Sequence, residues 1–327
     1  MKNQRMRCLL AVPAVRPEFF QKVADSATDA LFLDLEDSVA PEHKLAARAT
    51  AQRALQEVPW RDKRVLVRTN GLDTAWGFRD IEQLATHCHR LDGILVPKVG
   101  SVAEIQFVET LLDALDAERP PERPLELHIL IETAIGLARV EAILEASRRL
   151  VSVSFGVGDY SLSIGGQDRS VGGANKDYVV LSDASGEGAR ATHWNDQWHY
   201  ALARVTNACH AFGVMPIDGP FGNFADAQGF SAAAGRARIL GCEGKWAIHP
   251  TQIALANLAY TPTPEEVTWA HAVNVALDAA QRQGQGAVAL HGQLLDVAHR
   301  KIAERVLARA ATNSDCSSRL WRKAQEH

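Results

Sequence analysis

The chain has 327 residues, 46% of them apolar and 23% charged, enough to bury a large core as one big domain or two modest ones. Its 35 basic and 39 acidic side chains leave a formal charge of -4 without a long block of one sign, which speaks against nucleic acid or an anionic membrane as partner. No apolar run reaches the roughly 18 to 20 residues that cross a bilayer. The five cysteines are scattered and include no C-x-x-C pair, so a disulfide framework and a zinc knuckle are excluded and reduced, cytoplasmic thiols are expected.

Met1 to Arg7 is basic and Cys8 to Val15 apolar, which imitates a signal peptide, but the run is short and Arg16 stops it, so it reads as a first strand. From there, strand-length apolar runs alternate with stretches of helical period. Strands are predicted over Cys8–Val12, Ala30–Leu35, Arg64–Arg68, Gly93–Pro97, Leu127–Glu132, Val151–Gly156, Val214–Asp218 and Gly244–His249. Helices are predicted over Pro17–Asp25, Pro41–Glu57, Phe78–His89, Val102–Glu118, Ile135–Ser147, Asp196–Phe212, Ala225–Leu240 and Thr251–Leu258. Eight of each, in alternation, is the arithmetic of an α/β (β/α)8 TIM barrel over residues 1–260. An open doubly wound sheet is the other option, but no G-x-G-x-x-G follows an early strand.

Two regions break the repeat. Tyr160–Asn195 is too long for an ordinary connection and rich in Gly, Ser and Asp; placed after the sixth strand, it is expected to form a lid. Thr261-Pro-Thr-Pro264 then opens a C-terminal helical appendage over 261–327, with helices at Glu265–Arg282 and Asp296–Ala311 around a Gly-rich turn at Gln283–Gly286, and a polar, frayed end from Thr312.

Barrel chemistry sits at the C-terminal tips of the strands. The predicted tips carry Asp34, Glu36 and Asp37, then Arg68 and Asn70, Lys98, Glu132, Asp159, Asp218 and His249. Polar residues belong at any strand end, yet so many after apolar runs favour a converged charged pocket. Glu132 and Asp159 are either two hard ligands of a Mg²⁺ ion that keeps its waters or two solvated carboxylates. Asp34 and Glu36 share a face, where they either order metal-bound water or balance basic neighbours. Arg68 suits an oxyanion, with a salt bridge as the plain alternative. Lys98 could form a Schiff base, but neighbouring carboxylates favour an electrostatic role. His87, Cys88 and His89 point apart on a helix and cannot share a metal. There is no G-x-S-x-G elbow, P-loop or H-E-x-x-H. An arginine, carboxylates and a metal in a barrel mouth suit enolate stabilisation while a carbon–carbon bond forms or breaks.

Six separated segments, Leu33-Asp-Leu-Glu-Asp-Ser-Val-Ala-Pro41, Val67-Arg-Thr-Asn-Gly-Leu72, Val96-Pro-Lys-Val99, Ile131-Glu-Thr133, Gly156-Val-Gly-Asp159 and Ala247-Ile-His-Pro250, resemble the HpcH/HpaI aldolase and citrate lyase β-subunit superfamily, in its order. Val171-Gly-Gly173, Gln197-Trp-His-Tyr200, Gly219-Pro-Phe-Gly222 and Leu240-Gly-Cys242 are similar to its malyl-CoA and β-methylmalyl-CoA lyases. The resemblance implies a Mg²⁺-dependent (Mn²⁺ as substitute) carbon–carbon lyase that converts a 3-hydroxyacyl-CoA into an acyl-CoA and a 2-oxoacid, or the reverse. It implies Glu132 and Asp159 as metal ligands, Arg68 as the group polarising the oxoacid carbonyl and enolate oxygen, and Asp34, Glu36 and Asp37 as the acidic motif around the metal waters.

The same resemblance implies that Asp296, in Gly292-Gln-Leu-Leu-Asp296, reaches the active site of a neighbouring subunit as acid or base; the residues alone make it a helix N-cap. This segment departs from the usual pattern in reading Leu290-His-Gly without a lysine. Coenzyme A, as part of the substrate, is expected to meet Arg16, Lys22, Lys44 and Arg48. A homo-oligomer, trimer or hexamer, follows from the resemblance as well. A thioesterase on the same substrates, a CoA-independent 2-oxoacid aldolase and a non-catalytic barrel subunit are the competing functions.

Overall fold

A computed structural model describes residues 5–117, 124–183 and 190–311. The predicted frayed end from Thr312, and Cys316, lie outside the described residues. Two compact units divide the chain, Met1–Ala259 and Tyr260–His327.

The first unit is a closed barrel of eight parallel strands. In chain order these are β1 (Cys8–Pro13), β2 (Ala30–Asp34), β3 (Arg64–Arg68), β4 (Gly93–Val96), β5 (Glu126–Ile131) and β6 (Leu150–Phe155). A small antiparallel hairpin, β7 (Val179–Leu181) with β8 (Thr192–Trp194), intervenes before β9 (Met215–Asp218) and β10 (Gly244–Ala247). β10 pairs with β1 and closes the ring. The helices between strands are α1 (Phe20–Ala24), α2 (Lys44–Glu57), α3 (Gly77–His87), α4 (Val102–Asp116), α5 (Ala134–Ala138), α6 (Val140–Glu145), α7 (Val157–Ser163), α8 (His199–Phe212), α9 (Ala227–Leu240) and α10 (Thr251–Ala259). Ser101 caps α4 and Asp226 caps α9 through side-chain oxygens that accept backbone N–H groups.

Where the strands stop has local causes. β4 ends before Pro97, which has no N–H to continue the ladder. β10 ends at Ala247, short of the predicted His249, because the Ile248 N–H is taken by Gln252 Oε1 at 2.8 Å. The predicted helix Ile135–Ser147 is two helices, broken at Arg139, whose φ of -117° and ψ of 12° leave the helical region. The long segment after β6 carries α7 and the β7–β8 hairpin, neither of which its composition signalled; it is tied down where Gly222 N–H donates to Val171 O and Trp198 Nε1 donates to Gly173 O.

Side chains alternate along a strand, so one residue in two fills the barrel. Leu9, Phe32, Leu66, Leu95, Leu130, Ile217 and Trp246 form this inner core, with the rings of Phe32 and Trp246 4.5 Å apart. Two residues further on from Phe32, Leu66 and Leu130 come Asp34, Arg68 and Glu132, carried by the same alternation to the mouth above that core.

The second unit holds α11 (Pro264–Arg282), the hairpin β11 (Val288–Leu290) and β12 (Gln293–Leu295), and α12 (Val297–Ala311). Thr263 and Glu266 form a reciprocal capping box on α11, with Pro264 at its first position. The hairpin went unpredicted, although its turn residues signal it: His291 and Gly292 both have positive φ, 48° and 78°, as a two-residue type I′ turn requires. Ala270, Val273, Leu277, Leu295 and Ala303 make a small core of its own.

Candidate active site

Asp34 and Arg68 are register partners on β2 and β3. Arg68 Nε donates to Asp34 Oδ1 at 2.8 Å and Nη2 to Oδ2 at 2.7 Å, a two-point contact between buried groups. Asp34 also accepts from the N–H groups of Glu36 and Ser38, which folds the acidic loop over the strand end. Burial alone would raise the Asp34 carboxyl, but the Arg68 charge and these hydrogen bonds outweigh it and hold the group below its usual range. Beneath the guanidinium lie the rings of Phe32 and Trp246, 5.6 and 5.7 Å from its carbon. Its remaining nitrogen, Nη1, faces Glu36 Oε2 at 3.1 Å and Asp37 Oδ2 at 3.5 Å.

Glu132 follows β5 directly and precedes Thr133, which caps α5 through its hydroxyl, so the backbone on both sides is fixed. Its Oε1 accepts the Lys98 N–H at 2.8 Å. Gly156, at the start of α7, leaves the room it needs: a Cβ there would lie 2.3 Å from Glu132 Oε2. Burial, reinforced by the charges of Glu36 and Asp159 and only partly offset by Arg68, pushes the Glu132 carboxyl up to about 8. Burial likewise raises Glu36 against the pull of Arg68 and Lys98. Lys98 Nζ donates to Glu36 Oε1 at 2.7 Å and stands 3.5 Å from Asp37 Oδ1 and 3.8 Å from Asp159 Oδ2.

Asp34, Glu36, Asp37, Arg68, Lys98, Glu132 and Asp159 are therefore brought together, five carboxylates against two cations. Excess negative charge around a buried, proton-hungry glutamate fits a divalent cation. Among the described residues no group of three His, Cys, Asp or Glu side chains is placed to hold a metal; Glu132 and Asp159 are the residues that would hold one, with water or substrate oxygens completing the shell.

Other predicted tips do not join. Asn70 turns to Asp80, its Nδ2 2.7 Å from Oδ2. Asp218 follows the inward Ile217, so it points outward, where it accepts from Lys245 Nζ at 2.6 Å. His249 is half-buried and stacks on Phe224 at 4.5 Å.

Of the four expected coenzyme A contacts, Lys44 and Arg48 are held inside the fold. Lys44 is buried and donates to the carbonyls of Leu35 and Glu36, at 2.9 and 2.7 Å, bracing the acidic loop. Arg48 is buried against Asp80 at 2.6 Å, bracing the loop after β3. Both are committed to the fold, since withdrawing either would strand buried polar groups. Arg16, paired with Glu18, and Lys22 are exposed. Asp296 is a helix cap: its Oδ1 accepts from the Ala298 and His299 N–H groups, and with the hydrogen bond to the His299 ring first among the causes its carboxyl is held below the usual range.

Fold and site together define a (β/α)8 barrel enzyme with a carboxylate cluster around one buried arginine at its strand tips. The HpcH/HpaI aldolase/citrate lyase family matches residues 7–250, and the chain belongs to that family. It is 43% identical over 305 residues to an L-malyl-CoA/beta-methylmalyl-CoA lyase of Cereibacter sphaeroides, covering 93% of this chain and 94% of that protein. A (3S)-malyl-CoA thioesterase of the same species is 30% identical over 304 residues, covering 93% and 94%. Among solved structures, CitE of Mycobacterium tuberculosis in complex with magnesium, acetoacetate and coenzyme A superposes with a TM-score of 0.71 at 29% identity, covering 95% of this chain and 100% of that one.

Proposed function

We propose that the protein is a divalent-cation-dependent carbon–carbon lyase that cleaves or forms a 3-hydroxyacyl-CoA of the malyl, β-methylmalyl or citramalyl type, with glyoxylate or pyruvate as the 2-oxoacid. The observation that carries this reading is the convergence of Arg68 with Glu132 and Asp159, supported by 43% identity to a lyase of this kind over nearly the whole chain. Glu132 and Asp159 hold the cation, Mg²⁺ with Mn²⁺ as its substitute. When bound, it supplies Lewis-acid polarisation of the oxoacid oxygens and charge for the enolate.

Arg68 is pre-oriented by Asp34 and turns Nη1 toward the cluster, where it hydrogen-bonds the oxygen on which charge develops. In cleavage a base takes the proton of the 3-hydroxyl, the bond between the second and third acyl carbons breaks, and its electron pair enters a thioester enolate. The third carbon leaves as the oxoacid carbonyl and the second takes a proton. Asp296 from a second copy of the chain is the proposed partner for that proton; held as a carboxylate by its cap, it is in the state that condensation needs to accept one. Coenzyme A is met by the exposed Arg16 and Lys22. A cytoplasmic homo-oligomer, trimer or hexamer, goes with this reading, as do the buried thiols of Cys8, Cys88, Cys209 and Cys242, none of them in a disulfide.

The test is incubation with the three 3-hydroxyacyl-CoAs, with Mg²⁺ and with chelator. Metal-dependent release of glyoxylate or pyruvate with intact acyl-CoA is expected. The thioesterase reading, favoured by the 30% identity to such an enzyme, predicts free coenzyme A and a hydroxyacid instead. Silence across the panel would overturn both.

A further inference from the structure

Lys98 stands apart from the other site residues. It follows Pro97 at the end of β4 and adopts a φ of 55°, in the left-handed region that side chains avoid; among the described residues only Arg61 and His291 share that property outside glycine. The conformation lets one residue touch both candidate metal ligands with different groups. Its N–H fixes Glu132 Oε1, while its ammonium spans Glu36, Asp37 and Asp159. A nucleophilic lysine would need a neutral amine, and three carboxylates around the nitrogen oppose that. A purely structural strut would not need to sit 40% exposed at the mouth.

We propose that the Lys98 ammonium is a resident counter-cation that competes with the divalent ion and so sets how tightly the site binds it. This rests on the reading that Glu132 and Asp159 hold the metal. The ammonium places one positive charge 3.8 Å from Asp159 Oδ2, so a cation held by that carboxylate would meet a like charge close by, and such charges repel appreciably even under solvent screening. On metal entry it gives up Asp159 and stays with Glu36 and Asp37, its nearer partners. The cluster is thereby kept from collapsing or repelling itself when empty, at the expense of affinity when full.

The experiment is Mn²⁺ binding to the metal-free full-length protein, read by the electron paramagnetic resonance signal of free Mn²⁺ and by calorimetry, for the wild type, Lys98→Gly, Lys98→Met, Lys98→Arg and Asp159→Asn. Lys98→Gly suits the positive φ and keeps the N–H on Glu132, so folding is not at risk. The glycine and methionine variants should bind Mn²⁺ about tenfold tighter and the arginine variant about as the wild type does. Equal or weaker binding by Lys98→Gly, with Asp159→Asn abolishing binding, would overturn this inference alone. If Asp159→Asn bound Mn²⁺ like the wild type, the metal site itself would be misassigned and the inference would fall with it.

Discussion

Asp34 and Arg68 face each other across the β2–β3 ladder and are joined at two points, so the guanidinium plane is fixed before any substrate arrives. Only Nη1 points on toward Glu36 and Asp37. Lysine cannot reproduce that fork. Arg68→Lys should therefore keep the charge and the fold but lose about a hundredfold or more in kcat, the scale on which an oxyanion donor is missed. Arg68→Ala should lose more and also be destabilised by about 3 kcal/mol, because Asp34 is left buried without its partner. Steady-state kinetics and urea unfolding measure the two effects separately. Near-normal turnover of Arg68→Ala would remove this arginine from the chemistry.

Gly156 and Glu132 make a second dependence that kinetics can reach. The Cβ of Gly156→Ala would meet Glu132 Oε2 at 2.3 Å and its Cβ at 2.5 Å, so the carboxylate has to swing away. The expected result is a folded protein whose Mg²⁺ affinity falls by about tenfold or more, as displaced ligands produce elsewhere. Calorimetric titration checks it; unchanged affinity would mean that Oε2 has no part in holding the ion.

Basic residues near the second strand divide by burial. Arg48→Ala strands Asp80 in the interior and should cost about 3 to 5 kcal/mol of stability. Lys22→Ala should leave stability within about 0.5 kcal/mol of the wild type and raise KM for the coenzyme A substrate. A raised KM for Arg48→Ala with normal stability would restore it as a coenzyme A contact.

The N-terminal end of the barrel carries a buried polar layer whose titration runs in a definite direction. His128 is fully buried, 2.7 Å from Ser152 Oγ and 3.1 Å from Glu126 Oε2, with Arg64 and Asp92 nearby. Burial first, with Arg64 adding to it against the pull of Glu126, drops the imidazole below its ordinary 6.5. The unfolded chain thus takes up this proton at a higher pH than the folded one. The contribution of His128 to stability is complete above about pH 6.5 and shrinks as pH falls from there toward the folded value. In denaturant titrations from pH 7 to pH 5, the stability of His128→Gln should fall less steeply than that of the wild type. Parallel slopes would show that His128 is not what titrates.

The sequence by itself determined the alternation of strands and helices, the caps and breakers that bound them, and which strands end in Asp34, Arg68, Glu132 and the loop to Asp159. These are short-range properties: period two, the missing N–H of proline, apolar runs that must be buried. Tertiary structure alone decided the rest. Whether Lys44 and Arg48 meet solvent or interior depends on how loops after two different strands pack, and the Asp34–Arg68 fork depends on the β2–β3 register. Asp218 and His249 read like the other tips, but the face on which a side chain emerges follows from which neighbour points into the barrel. The left-handed turn at Lys98, which joins Glu132 to the cluster, leaves no mark in composition or period, because it is imposed by contacts from β5 and the acidic loop across the barrel mouth.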